Sequence, residues 1–190
     1  MRWDALFDDL ETQVAASERQ DLDAEISDRT RAEAAAVGLA DRLRGSLGRL
    51  VAVQLVSGST FEGTLSHAGS QALVLDEPRH QVLVPYASAV RYLGLSRLAM
   101  PEPSRVQQRL GLASALRELA RDRARLGVLI LGGSAGELTL HGVIDRVGRD
   151  HLDLAVTGEG EERRAANVRE LATIPFTALG GIRSARTPGT

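Results

Sequence analysis

The chain has no cysteine. Disulfides, thiolate metal sites and a cysteine nucleophile are therefore excluded. It also has no lysine: all 23 basic residues are arginine. They are scattered from end to end, which fits the coding bias of a high-GC genome better than selection for bidentate phosphate contacts. Neither sign of charge dominates, with 25 acidic residues against the 23 arginines and a formal net charge of -2. There is thus no global electrostatic footprint for nucleic acid. Aromatics make up 3% of the residues, so any core must be built from Val, Leu, Ile and Ala. No apolar run approaches the length of a membrane span. The start, MRWDALFDDLE, is acidic and amphipathic and lacks the basic region and apolar run of a signal peptide. The expectation is a cytoplasmic protein with no membrane contact. No serine occupies a Gly-x-Ser-x-Gly elbow. The glycine-rich GGSAGE (132–137) lacks the Lys-Ser/Thr of a phosphate loop and falls between two strand-like runs, which predicts a hairpin turn.

What is present is an ordinary globular balance, 43% hydrophobic and 25% charged over 190 residues, enough for one domain or two small ones. Residues 3 to 47 read as one long helix. Trp3, Leu6, Phe7, Leu10 and Val14 recur at helical spacing, and Leu22, Ile26, Val37, Ala40, Leu43 and Leu47 continue the stripe. Over 1–47 the acidic residues outnumber arginine 11 to 6. Such a stripe needs something to cover it, either the rest of the chain or a partner. Residues 49–95 change to short β-branched and Leu-rich runs punctuated by Ser57-Gly58, Gly63, Gly69 and Glu77-Pro78, the pattern of antiparallel strands. PEPS (101–104) breaks the chain, with Ser104 placed to cap a following helix. That helix, about 105–124, is locally basic. Arg105, Arg109, Arg117, Arg121, Arg123 and Arg125 face only Glu118 and Asp122. Strand-like runs return over 127–183.

The two strand regions are copies of one another. FEGTLSHAGSQALVL (61–75) aligns without gaps to LHGVIDRVGRDHLDL (140–154), and VPYASAV (84–90) matches IPFTALGGI (174–182). Gly63 and Gly142 fall mid-strand, where a bend or close backbone approach is expected. Gly69 and Gly148 fall in the next turn, where positive φ is expected. About five strands in each copy suggest a small, strongly bent barrel. The expected fold class is α+β, mainly β: two five-stranded bent β-barrels, each preceded by a helix, with a long N-terminal helix. The boundaries are an N-terminal helix at 1–47, a first barrel at 48–97, a Pro-containing linker and Arg-rich helix at 98–125, a second barrel at 126–184 and a tail at 185–190.

The segments SGSTFEGTLSHAG and LTLHGVIDRVG, with the later VLVPYASAV and TIPFTAL, resemble the Sm-like (Sm/LSm) family over roughly 49–95 and 127–183. The chain from MRWDALFDDLE onward also resembles a family of actinobacterial proteins of unassigned role. The Sm-like resemblance implies RNA binding, which in that family rests on an Asp and an Asn after the second strand and a basic residue in a later loop. The Asp position holds Gly69 and Gly148 here, and the Asn position Leu73 and Leu152, so the uridine pocket is not kept. Arg91 and Arg183 stand near the later loop as candidate phosphate contacts. Tyr86, Tyr92 and Phe176 are the candidate stacking rings among the strands.

LHGVIDRVGRDHLDLA (140–155) gathers His141, Asp145, Asp150, His151 and Asp153, residue types suited to a metal site or acid/base pair. The first copy replaces them: Glu62 stands for His141, Ser66 for Asp145, Ala72 for His151 and Val74 for Asp153. Solvent-facing residues on a half-buried sheet explain the same pattern. The expectation is therefore no catalytic residue, metal or cofactor, with His151 and Asp153 as a partner surface. Arg105, Arg109, Arg117 and Arg121 could meet phosphates or a partner, and pairing with the acidic first helix is preferred. The expected function is a non-catalytic binding or assembly module that contacts a protein partner, or itself, through edge strands and the N-terminal helix. RNA binding is the alternative, and a metal-dependent enzyme using His141, Asp145, His151 and Asp153 comes third.

Overall fold

A computed structural model describes residues 19, 24–32, 34–102, 104, 111–132, 136–158, 164 and 167–185. The chain divides into Met1–Gly38 and Leu39–Thr190. In the first unit, residues 24–32 and 34–36 are helical, and Ile26 is exposed. The rest of the expected N-terminal stripe up to Leu22 lies outside the described residues.

The second unit opens with a short helix, α1 (Leu39–Arg44), followed by five strands: β1 (Leu50–Leu55), β2 (Thr60–Ala68), β3 (Ala72–Asp76), β4 (His80–Pro85) and β5 (Ala89–Leu93). Helix α2 (Leu112–Arg121) precedes five more: β6 (Leu126–Leu131), β7 (Glu137–Val147), β8 (His151–Val156), β9 (Glu170–Pro175) and β10 (Leu179–Ala185). In each half a proline ends the fourth strand and a single 3-10 turn, Tyr86–Ser88 or Phe176–Ala178, leads into the fifth. Alternation of apolar and polar residues sets the strand faces: Val51, Val53 and Leu55 of β1 are buried while Leu50 is exposed.

The two expected barrels are not formed. All ten strands belong to one open antiparallel sheet in the order β5-β1-β2-β3-β4-β10-β6-β7-β8-β9. Each half keeps the same internal order, but the edge strand β4 of the first half pairs with the edge strand β10 of the second. Neither half closes on itself, because an unpaired strand edge is satisfied equally well by another strand as by its own half. The long helix over 3–47 is also not formed as expected. Residues 37 and 38 are not helical, and α1 ends before Gly45. Glycine is a poor helix interior residue. At Gly45 the returning chain comes so close that an added Cβ would lie 2.2 Å from the Leu98 carbonyl oxygen.

The second helix starts at Leu112 with Gly111 as its N-cap, so Ser104 does not cap it. Residues 105–110, including Arg105 and Arg109, lie outside the described residues. Each helix packs on the second strand of its own half, α1 on β2 and α2 on β7. Two buried clusters result. One is centred on Leu43, Val51, Leu65 and Leu75, the other on Leu116, Leu126, Leu152 and Leu154. Among the described residues no helix is long and apolar enough to cross a membrane.

The repeat glycines act through space rather than through φ. A Cβ on Gly63 would lie 2.7 Å from the Asp76 carbonyl oxygen, and one on Gly142 would lie 2.2 Å from that of Ala155. Gly69 and Gly148 do not have the positive φ expected of them. Gly148 instead leaves room for the His151 ring, 2.4 Å from where its Cβ would stand. The expected hairpin after β6 is present, with Gly136 at φ 82 and the Gly132 N–H bonded to the Gly136 carbonyl at 2.7 Å.

Candidate functional site

The feature that sets this sheet apart is the junction between its halves. Across β4 and β10, Leu83 faces Ile182, Val82 faces Arg183 and Gln81 faces Ser184. The cores interlock there: Leu83 joins the second cluster, while Leu129 and Leu131 of β6 pack against the first. Buried Ser88 donates to the Pro85 carbonyl at 2.7 Å and the Gly180 carbonyl at 3.2 Å, tying the first 3-10 turn to β10. Arg183 Nη2 meets Glu77 Oε1 at 2.9 Å, and its guanidinium lies 5.5 Å from the centre of the Phe61 ring. A second clasp joins the β1–β2 turn to β7. There the Ser57 and Ser59 hydroxyls both donate to the Glu137 carboxylate, Ser59 at 2.7 Å.

The expected phosphate contacts are dispersed by this arrangement. Arg183 is held at the junction. Arg121 pairs with Glu118 of its own helix at 2.8 Å, and Arg117 reaches the Gly148 carbonyl at 3.4 Å. Arg91 is exposed on the edge strand β5. Tyr86 donates its hydroxyl to the Gly69 carbonyl at 2.8 Å. Burial, and next to it Tyr92, push its pKa well above the usual phenol value, against a smaller opposing pull from Arg44. Burial likewise raises Tyr92. Both rings are thus structural rather than free stacking platforms.

The His/Asp stretch is also divided. Asp145 is the extra residue where the β7–β8 register shifts between Ile144 and Arg146. The His141 ring lies over Gly127 of β6. His151 Nδ1 meets Asp150 Oδ1 at 2.9 Å, and Asp153 accepts from the Thr173 hydroxyl at 2.7 Å. The His151 hydrogen bond, helped by the charges of His151 and Arg149, holds Asp150 below the usual carboxylate range against an opposing desolvation cost. Among the described residues no group of three or more His, Asp or Glu is placed to hold a metal.

Among the described residues the sheet ends in two strands that pair on one side, β5 and β9. Val90 and Leu93 on β5 are 60% and 50% exposed, and Leu171 on β9 is 61% exposed. By the spacing from the 3-10 turns, β9 is the counterpart of β4 and β5 the counterpart of β10, with Leu93 standing for Arg183 and Leu171 for Gln81. Sequence reasoning missed these apolar edge residues. The signal was the alignment of the Pro strands, which places Leu93 where the internal junction has Arg183 and Leu171 where it has Gln81. Comparison with known proteins matches the chain to no protein-family model and to no curated protein.

Proposed function

We propose that the protein is a non-catalytic assembly module that joins further copies of itself edge to edge, β5 of one chain against β9 of the next. The observation that supports this most is the internal β4·β10 pairing, because β9 and β5 are the same two strands of the repeat left without each other. In that register Leu93 faces Ala172 of the next copy, and Leu171 lies beside Gly94. Exposed apolar side chains on unpaired edges favour such association. The contact is head-to-tail, so it builds a ring if the rotation closes and a filament if it does not. Kinship of both halves with the Sm-like family is part of the same proposal, supported by the matching segments around Gly63 and Gly142. Light scattering across a dilution series should find species larger than the 20.3 kDa chain, reduced to monomer by Leu93→Lys. A wild-type monomer at every concentration would sink the reading. Salt-dependent RNA binding by that monomer, lost in Arg91→Ala, would put the RNA alternative in its place.

A further inference from the structure

The repeat runs further upstream than the strands. GLADRLR (38–44) matches GLASALR (111–117), so Leu39 stands for Leu112, Arg42 for Ala115 and Leu43 for Leu116. Leu43 and Leu116 are both fully buried, each in its own half. Leu39 and Leu112 differ: Leu39 is 43% exposed and Leu112 only 7%. The neighbouring half lies within reach of Leu112. The Leu112 N–H donates to Gln71 Oε1 at 2.9 Å, in the β2–β3 turn of the first half. Leu112 also borders a cleft of about 390 Å³ where Gln71 and Tyr86 of the first half meet Arg149 and Phe176 of the second. Farther along α2, Ala115 lines one wall of a cleft of about 240 Å³ whose other wall carries Ala72 and Val74 of β3. Helix α2 therefore sits on its own half and also reaches across the junction onto the hairpin before it. Helix α1 precedes the half at the end of the sheet, beyond whose β5 no further strand is paired among the described residues.

The hairpin that α1 lacks has a counterpart at the other end of the molecule. Asp150 occupies the place of Gln71: the Gln71 carbonyl accepts from the Tyr86 N–H at 2.9 Å, and the Asp150 carbonyl from the Phe176 N–H at 2.8 Å. His151 and Asp153 occupy the places of Ala72 and Val74. The chemistry changes on both sides together. Where Ala115 of α2 shares an apolar cleft with Ala72 and Val74, α1 carries the exposed cation Arg42, whose Nε donates to the Ser96 carbonyl at 3.2 Å, and the second hairpin carries the acids Asp150 and Asp153 beside Arg149 and His151. An apolar set of facing positions has become one that carries charges of both signs.

We infer that α1 of one copy docks on the β7–β8 hairpin of another copy of this chain, burying Leu39 beside its turn and setting Arg42 over Asp150 and Asp153. The partner surface expected at His151 and Asp153 then has a defined occupant. This docking rests on the proposed β5·β9 pairing, which brings the two elements together as β4·β10 brings α2 to β3. The charge pair supplies register and orientation, and the aliphatic contact supplies area.

The test is a charge exchange read as the dissociation constant of the wild-type assembly by analytical ultracentrifugation. Asp153→Arg and Arg42→Asp should each weaken association by about tenfold, and the double variant should recover most of the loss. Leu39→Ser, at an exposed position that cannot disturb the monomer core, should weaken it by about the same factor through lost apolar burial. Leu93→Lys is the control for edge pairing. If Leu93→Lys dissociates the assembly while Leu39→Ser and both charge reversals leave its constant unchanged, the docking is overturned and edge pairing stands. A monomeric wild type overturns both. Should Asp153→Arg fail to fold, because Asp153 also accepts from Thr173, Leu39→Ser and Arg42→Asp decide alone.

Discussion

Replacing Arg183 with alanine separates the structural reading of this arginine from the phosphate-binding one. The substitution removes the contact of Nη2 with Glu77 Oε1 at 2.9 Å, between side chains 46% and 16% exposed. It also removes the guanidinium from its place 5.5 Å from the Phe61 ring centre. A half-exposed ion pair is screened and contributes about 0.2–1 kcal/mol. The cation–π contact adds about 0.5–1 kcal/mol at a site of this exposure. Glu77 is mostly covered, so leaving its carboxylate without the cation costs roughly a further 1 kcal/mol. The expected loss is about 2 kcal/mol, or about 4–8 °C in Tm for a unit of this size. Urea unfolding followed by far-UV circular dichroism, at fixed protein concentration, measures it. A double-mutant cycle with Glu77→Gln should return a coupling of about 0.5–1 kcal/mol. If Arg183→Ala unfolds at the wild-type urea midpoint and instead loses affinity for RNA, the junction account of Arg183 is wrong.

Two further outcomes follow from local geometry. Gly142→Ala should destabilise by about 1–3 kcal/mol, and by more than Gly63→Ala, because its Cβ would meet a carbonyl oxygen at 2.2 Å rather than 2.7 Å and main chain cannot swing aside; a wild-type midpoint in Gly142→Ala would contradict this. Asp150 should titrate below the ordinary carboxylate range in an NMR pH series, with His151→Ala returning it toward that range. Its folded pKa is depressed, so the stabilisation from this pair is present above the unfolded pKa and is lost as pH falls through the folded one. An unchanged Asp150 titration in His151→Ala would remove the hydrogen bond as its cause.

The repeat and its strands were legible in the sequence because their signals are local. Gly63 and Gly142 mark the same close approach of main chain, and Pro85 and Pro175 mark the same strand end before a 3-10 turn. The merging of the halves was not legible. Apolar alternation tells which face of a strand is buried but not which neighbour its N–H and C=O groups will take, so β4 and β10 read alike whether a half closes or is extended. Arg183 read as a phosphate contact because its partner Glu77 is 106 residues away. The faces of the His/Asp stretch could not be read by strict alternation either, since the register shift at Asp145 resets the period, as the one between Leu65 and His67 does in the first copy.

A duplicated chain offers a measure that a single-copy protein lacks. Two positions with the same residue and the same local structure should be equally buried unless their neighbours differ. Leu43 and Leu116 obey this, both being fully buried. Leu39 and Leu112 do not: one half has another half beside it, and the other stands at the end of the sheet. On the proposed docking, the exposure of Leu39 is the trace of a missing neighbour. Leu93 differs from its counterpart Arg183 in partner rather than in burial: Arg183, itself 46% exposed, meets Glu77 and Phe61 from across the junction, while Leu93 is 50% exposed at the sheet edge. Both departures fall on the same side of the sheet. The hairpin and strand that would repair them, β7–β8 and β9, lie together at the opposite end. One head-to-tail contact would therefore restore both positions at once, whereas an unrelated partner would have to match an edge strand and a helix face separately.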